Sequence, residues 1–225
     1  MSITLLDADT KTDFIIPIRF HIVSNLSMTQ KGVCMESWVT KDNIKQTIIP
    51  ELNHIWKPSG ITFEVENIFI TPALECNHKH KIIDKIVKTT REDLSGLVKR
   101  HNELIDFRMD DARLINIYFV PYMAQTIQGV AIPKISRCII GQYSDKSTRA
   151  QQPPIKRLLT EPLPLKKGSI SRTIAHEVGH VLGLDHPDKP SQKIFHRLMG
   201  GRKHGYRLTE DEVKMARENA RKFSK

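Results

Sequence analysis

The eleven residues from His176 to His186 constrain this chain more than any other stretch. They read HEVGHVLGLDH, with three histidines, one glutamate and two glycines. Residues four apart lie on one face of an α-helix, so His176 and His180 can bind one metal ion through their imidazoles. Gly183 lacks a Cβ and can adopt the left-handed conformation that ends a helix and reverses the chain. The reversal returns His186 to the same point, and the stretch therefore predicts a metal site.

The ligand set predicts a catalytic zinc ion. Three neutral imidazoles, from His176, His180 and His186, leave the fourth position of tetrahedral Zn²⁺ open for water, as in catalytic sites and unlike structural ones. Glu177 is one step round the helix from the first ligand, where its carboxylate can act as general base towards that water. An amphipathic helix with surface histidines is the alternative, and the spacing of Gly183 and His186 disfavours it.

The pattern H-E-x-x-H-x-x-G-x-x-H, with a methionine turn downstream, resembles the signature of metzincin metalloproteases. In the sequence RLMGG, Met199 is the candidate for the turn methionine, with an ordinary core methionine as the alternative. The methionine turn is followed by a glycine-rich stretch, the run Leu208-Thr209-Glu210 and a terminal helix. This order resembles that of small matrixin-like and pappalysin-like metzincins. The resemblance implies an α+β fold, with a twisted mixed sheet, backing helices, a zinc-binding helix and a smaller C-terminal lobe ending in a helix.

The resemblance also implies how the domain is divided and which strand meets the substrate. We expect residues 1–225 to form one catalytic domain, with an upper lobe (1–184) that includes the zinc helix and a lower lobe (185–225). The strand before the zinc helix should be the edge strand that pairs, antiparallel, with an extended substrate, because an exposed edge presents unpaired N–H and C=O groups. An ordinary edge strand is the alternative. The residues at that position are Gly129, Val130, Ala131 and Ile132.

A further site residue is suggested by a departure from the family pattern. Some relatives supply a tyrosine two residues after the turn methionine, but that position here is Gly201. Tyr206 is the nearest candidate for an oxyanion donor, and a wall residue of the substrate pocket is the alternative. Residues 200–207 are expected to shape that pocket by analogy.

The rest of the chain supplies recognisable elements. An apolar strand from Phe14 to Val23, a helix from Thr40 or Asp42 to Trp56 and a strand from Ile61 to Ile70 predict a parallel βαβ unit. Pro50 is expected to kink the helix. Residues 79–107 are predicted to form one helix, or two joined near Ser95-Gly96. A buried central strand is predicted over 113–120, and short strands over 128–132 and 136–140. The zinc helix is expected to begin with an N-cap at Ser169 or Ser171, and the last helix with an N-cap at Thr209.

Composition limits the kinds of partner that this chain is expected to bind. The 35 basic and 25 acidic residues give a net charge of +10, which fits acidic partners or a solvated basic face. Basic residues are scattered and aromatic residues make up only 6%, so we expect no specific nucleic-acid partner. No apolar run is long enough to span a membrane. The first residues lack the pattern of a secretory signal, so we expect a cytoplasmic protein, non-classical export or a chain numbered without its leader. Three cysteines exclude a dense disulfide framework.

These observations predict a zinc-dependent endopeptidase that acts on protein or peptide substrates as a monomer. The alternative is a zinc-binding, basic interaction protein or a toxin-like effector with a very narrow substrate range. The proline-rich stretch from Ser144 to Lys167 reads as a loop beside the cleft. Structural calcium is not expected there, because only Asp145 and Glu161 could supply carboxylates.

Overall fold

The computed structural model describes residues 14–90, 93–145, 162–187, 196–200 and 205–224. The strands are, in chain order, β1 (Phe14–Ser24), β2 (Met28–Gln30), β3 (Val33–Met35), β4 (Ile61–Pro72), β5 (Ile115–Tyr122), β6 (Gly129–Ile132), β7 (Arg137–Asp145) and β8 (Pro162–Pro164). The helices are α1 (consecutive segments Lys41–Asn43, Ile44–Ile48 and Ile49–Trp56), α2 (Lys79–Lys88), α3 (Leu94–Leu104), α4 (Lys167–Val181) and α5 (Glu210–Ala220).

The central sheet is mostly parallel. Its strand order is β4-β1-β5-β7-β6, and β8 also pairs with β7. β1 pairs in parallel with both β4 and β5, and β5 pairs in parallel with β7. β6 and β8 run antiparallel to β7. The fold is therefore a mixed α/β arrangement, in which β1, α1 and β4 form the predicted parallel unit.

Helices cover both faces of this sheet. One face packs its apolar side chains against α1, α4 and α5. The other packs against α2 and α3. Every residue of β5 is buried, which confirms the predicted central strand, because a strand between two helical layers has no solvent-facing side.

α1 is irregular near its proline. The five residues Ile44–Ile48 form a π-helical turn, and Pro50 stands in the first turn of the α-helical segment that follows. A proline has no N–H to donate and its ring crowds the preceding turn, so a wider turn upstream accommodates it. The irregularity that Pro50 predicts in this helix is therefore present, in the form of a π-helical turn.

Two predicted boundaries were wrong. The stretch 79–107 forms two helices, but the first ends at Lys88 and the second begins at Leu94, so Ser95-Gly96 lies inside the second helix. The Asp93 carboxylate accepts the Gly96 N–H and caps the start of α3. α4 begins after Lys166 without a side-chain cap. The candidate caps Ser169 and Ser171 both lie inside the helix, where the Ser171 hydroxyl donates to the Glu51 carboxylate at 2.6 Å.

The last helix begins as predicted. The Thr209 hydroxyl accepts the Glu212 N–H, and the Glu212 carboxylate accepts the Thr209 N–H, which together form a capping box. Within the described ranges, no helix is long and apolar enough to cross a bilayer. Residues 146–161, which make up most of the proline-rich stretch and include Glu161, lie outside the described residues, and the division into lobes and the absence of calcium stay predictions.

Candidate metal centre and cleft

The helix that carries the first two histidines ends in a glycine turn. Gly183 has a φ of +83°. Its N–H donates to the His180 carbonyl at 3.0 Å, and the Leu184 N–H donates to the Gly179 carbonyl at 2.9 Å. This pair of bonds is a Schellman motif, which requires a left-handed residue at the position of Gly183. The reversal predicted from the sequence is therefore present, and it carries the chain to His186.

The three predicted ligands converge. The ring centroids of His176, His180 and His186 lie 4.7 to 5.0 Å apart. One nitrogen from each ring lies within 4.8 Å of the others. The Nε2 atoms of His176 and His186 are 2.9 Å apart, so they either share a proton or face a common cation. Nitrogen ligands of tetrahedral zinc lie about 3.3 Å from one another, and this arrangement fits that ion.

Backbone carbonyls orient two of the rings. His176 Nδ1 lies 2.8 Å from the Leu198 carbonyl, and His180 Nδ1 lies 2.7 Å from the Leu184 carbonyl. A ring that donates its Nδ1 hydrogen to a carbonyl presents the lone pair of Nε2 to a metal. Burial lowers the pKa of His176 to about 3, which keeps that ring neutral and able to bind a cation. His176 therefore has the protonation state that a zinc ligand requires.

Glu177 is buried beside this centre. Burial raises the pKa of its carboxyl group to about 8, and a hydrogen bond from the Ala131 backbone and the charge of Arg172 oppose the rise. β6 approaches it closely, since a Cβ on Gly129 would lie 2.8 Å from Glu177 Cγ. The absence of a side chain at position 129 is thus what lets the carboxylate sit against the strand.

Met199 lies beneath the histidine helix. It is fully buried in a turn closed by a 3.2 Å bond from the Gly200 N–H to the Arg197 carbonyl. A Cβ on Gly179 would lie 2.7 Å from the Met199 sulfur. Gly179 stands between the two helical ligands in sequence, so the thioether packs against the turn of α4 that carries them.

The cleft joins the histidines to the edge of the sheet. It has a volume of about 620 Å³, and Gly129, Val130 and Ala131 line it together with the three histidines and Glu177. β6 pairs only with β7 in the described sheet, and its other edge borders the cleft. Ile132 belongs to β6, but it is not among the residues that line this cleft.

Tyr206 lies elsewhere. Its side chain is 54% exposed and lines a second cavity, together with residues from α1 and the start of α4. Among the described residues that line the histidine cleft, Tyr206 is absent, although Arg172 lines both spaces. The sequence interpretation missed Arg172. Its position four residues before His176 was the available signal, since that spacing puts both on one face of a helix.

Comparisons with known proteins find likeness in structure but not in sequence. No known family model and no characterised protein match the chain. The structure is similar to a zinc-dependent peptidase from Methanocorpusculum labreanum, with 15% identity and a TM-score of 0.43 over 88% of this chain and 99% of that one. It is also similar to an archaemetzincin from Methanopyrus kandleri, with 10% identity and a TM-score of 0.46 over 96% of this chain and 99% of that one. Function is therefore inferred from the residues of the chain itself.

Proposed function

We propose that this protein is a zinc-dependent peptidase of the metzincin type. The observation that carries the proposal is the convergence of three imidazoles beside the buried carboxylate of Glu177. The Schellman turn at Gly183 and the buried turn at Met199 support the metzincin assignment, because both occupy the positions that the sequence pattern predicts.

His176, His180 and His186 are the residues that would hold the metal. When bound there, zinc supplies a Lewis acid that acidifies water and polarises a carbonyl group. The chain contributes the alignment of its rings, since the Leu198 and Leu184 carbonyls fix the Nδ1 hydrogens of His176 and His180. Because the rings are aligned before the substrate binds, no free energy is needed to orient them during the reaction, which is the benefit of a preorganised site.

Glu177 moves the proton. Its carboxylate lies in a buried pocket against β6, and burial favours the protonated form. A carboxyl group with a raised pKa is a stronger base, so its ionised form accepts a proton from water and, once protonated, can return that proton to the amine that leaves. We assign Glu177 both steps, and the reaction needs no covalent intermediate.

The edge of β6 would bind the substrate backbone. The strand presents one set of peptide groups to β7 and the other to the cleft that contains the histidines. An extended polypeptide can add to such an edge through main-chain hydrogen bonds, whatever its sequence. Because an added strand extends on both sides of the bond to be cut, we propose an endopeptidase. A zinc-binding protein without catalysis is disfavoured, since Glu177 and all three ligands are in place.

The test is metal-dependent cleavage of an unfolded protein such as casein. The zinc-loaded wild type is expected to produce new peptide termini, which mass spectrometry locates. A chelator should abolish cleavage, and one equivalent of zinc should restore it. Glu177→Ala, with its zinc content measured alongside, should be inactive while it keeps the metal. Cleavage that survives removal of zinc, or that persists in zinc-loaded Glu177→Ala, would contradict the proposal.

A further inference from the structure

Arg172 connects the metal cleft to a second cavity. It lies one helical turn before His176 and lines the cleft with Glu177. It also lines a neighbouring space of about 520 Å³ between α1, the first turn of α4 and Tyr206. It is the one described residue that lines both spaces. Arg172 therefore borders both the cleft that contains the histidines and the second cavity.

The guanidinium has hydrogen-bond donors to spare. Nε donates to the Gly205 carbonyl at 2.9 Å, and Nη2 donates to the Leu198 carbonyl at 3.0 Å. An arginine carries five N–H groups in a fixed planar fork. Two bonds to described acceptors leave the two hydrogens of Nη1 and one of Nη2. Those on the end of the fork are the pair that matches the two oxygens of a carboxylate.

The positive charge of Arg172 is not matched by an ion pair within the described residues. Its two acceptors are carbonyl oxygens, which orient the group without neutralising it. Burial lowers its pKa, and the field of Glu177 opposes that effect. Glu51, the acidic residue of the second cavity, accepts the Ser171 hydroxyl at 2.6 Å. A partly buried guanidinium held in place by carbonyls is well suited to an incoming anion.

The distribution of charge along the sequence also favours an acidic substrate. Residues 146–167 contain six Lys or Arg and one acidic residue, and residues 188–207 contain six and one as well. These two stretches flank the histidine helix in sequence and account for the entire net charge of +10. The rest of the chain is neutral in sum. A basic excess in the segments that flank the histidine helix in sequence favours acidic polypeptides as partners.

We propose that Arg172 binds a carboxylate of the substrate close to the scissile bond, and that the enzyme therefore prefers acidic polypeptides. The proposal rests on the proposed peptidase function. The carboxylate is either the side chain of an Asp or Glu within the chain or the α-carboxylate of a chain end. The first makes the enzyme an endopeptidase selective for acidic residues, and the second makes it trim chain ends.

The two sources are separated by matched peptides and the zinc-loaded full-length protein. One set places Asp, Glu, Asn or Gln at successive positions near the cut and carries a C-terminal amide. The other set is neutral and carries either a free carboxylate or an amide at its C-terminus. We expect kcat/KM to differ about 10-fold or more within one of these comparisons, either Asp against Asn or free acid against amide. A factor of that size is the effect of one bidentate charge-assisted contact. Ratios near one in both sets would overturn the proposal.

An arginine variant tests whether Arg172 is the residue responsible. Arg172→Gln should bring the preferred ratio close to one. Arg108→Gln is the matched control, because Arg108 is an exposed arginine whose described partner is Asp106, outside both cavities. If Arg172 only holds the Leu198 and Gly205 carbonyls, its loss will slow the cleavage of every peptide by the same factor. An unchanged ratio would then overturn the proposal.

A binding measurement keeps this inference separate from the proposed reaction. Fluorescence anisotropy of the same peptides on zinc-loaded Glu177→Gln reads affinity without cleavage. We expect the carboxylate peptide to bind about 10-fold more tightly than its amide partner, with the difference shrinking as salt is added. If the wild type cleaves no peptide, the peptidase proposal fails, and anisotropy still decides whether the site selects a carboxylate. Equal affinities would overturn the carboxylate site.

Discussion

Two groups of histidines lie on opposite faces of the sheet, and only one of them forms a centre. On the face covered by α4, His176, His180 and His186 direct one nitrogen each to a common point. On the face covered by α2 and α3, His21 and His101 are fully buried but separate. Burial lowers the pKa of both to about 4, so these rings are neutral, as the ring of His176 is. Neutral charge alone does not distinguish the two groups.

The partners of the rings make the difference. His21 stacks on Tyr118 with ring centroids 4.1 Å apart, and its Nδ1 lies 3.2 Å from the Thr71 hydroxyl. Neither nitrogen of His101 has a well-placed hydrogen-bond partner among the described residues. By contrast, the Nδ1 atoms of His176 and His180 face backbone carbonyls, which leaves their Nε2 atoms for a metal. Besides burial, a metal-binding histidine is thus recognised by a ring that a hydrogen bond orients and by a nitrogen directed to a point shared with other histidines.

The largest effect should come from the carboxylate beside the centre. Glu177→Gln removes the proton acceptor while keeping the shape and the three ligands. We expect kcat/KM to fall by about 10²- to 10⁴-fold, with zinc content unchanged. Glu64→Gln, an exposed glutamate on β4, is the control and should behave as wild type. Peptide hydrolysis with parallel metal analysis checks this, and an active, zinc-loaded Glu177→Gln would refute the assigned role.

The second prediction breaks the comparison between the two groups of histidines. His186→Ala removes a ligand, and zinc affinity should weaken by more than about 100-fold, since the loss of even an outer contact costs 10- to 100-fold. His101→Leu removes a buried histidine outside the cluster and should leave affinity and stoichiometry unchanged. Competition with a chromophoric chelator measures both. Equal affinity in His186→Ala and wild type would mean that zinc binds elsewhere.

The third prediction concerns pH and the isolated histidines. The folded-state pKa of His101 is about 4, below its ordinary 6.5, so protonation favours the unfolded chain. Its contribution to stability is complete above pH 6.5 and is lost as the pH falls towards 4. Between pH 7.5 and 5 that loss is about 2 kcal/mol for one such histidine.

Urea unfolding of metal-free protein at the two pH values measures this loss. His101→Leu should lose about 2 kcal/mol less than wild type. A packing cost of the substitution that does not depend on pH cancels in the difference. The same dependence on pH in variant and wild type would show that His101 is already charged or solvated in the folded state.

The smallest effect is expected at the helix end that returns the third ligand. Gly183→Ala forces a Cβ into the left-handed region, which costs about 1 to 2 kcal/mol of unfolding free energy. That Cβ would also lie 2.7 Å from the Asn219 amide nitrogen on α5. Adding Asn219→Ala relieves the contact and leaves the backbone strain, so the double variant should recover part of the loss. A stable Gly183→Ala would show that the turn does not depend on glycine.

Much of the site followed from the sequence because its geometry is local. The spacing of His176 and His180 fixes their common face, and Gly183 fixes the reversal to His186. The parallel β1-α1-β4 unit also followed from apolar patterning. These features depend on residues close in sequence, or on alternation that any strand shows. The edge position of β6 was expected from the family resemblance instead.

Other features depend on contacts between distant segments, which no local pattern records. The carbonyl of Leu198 orients His176 and is shared with Arg172, and the sequence gives no sign of either bond. The start of α4 has no side-chain cap, so Ser169 misled the interpretation. Tyr206 was assigned by its distance from Met199 along the chain, but it lines the second cavity.

The most direct test of the three-histidine centre is a titration of zinc into metal-free protein, with peptide hydrolysis and bound metal measured in the same samples. Activity is expected to rise in proportion to bound zinc and to stop rising at one ion per chain, and His186→Ala should show neither tight binding nor activity. Hydrolysis before zinc is added, or saturation of the site without hydrolysis of any peptide in a diverse pool, would contradict a zinc peptidase.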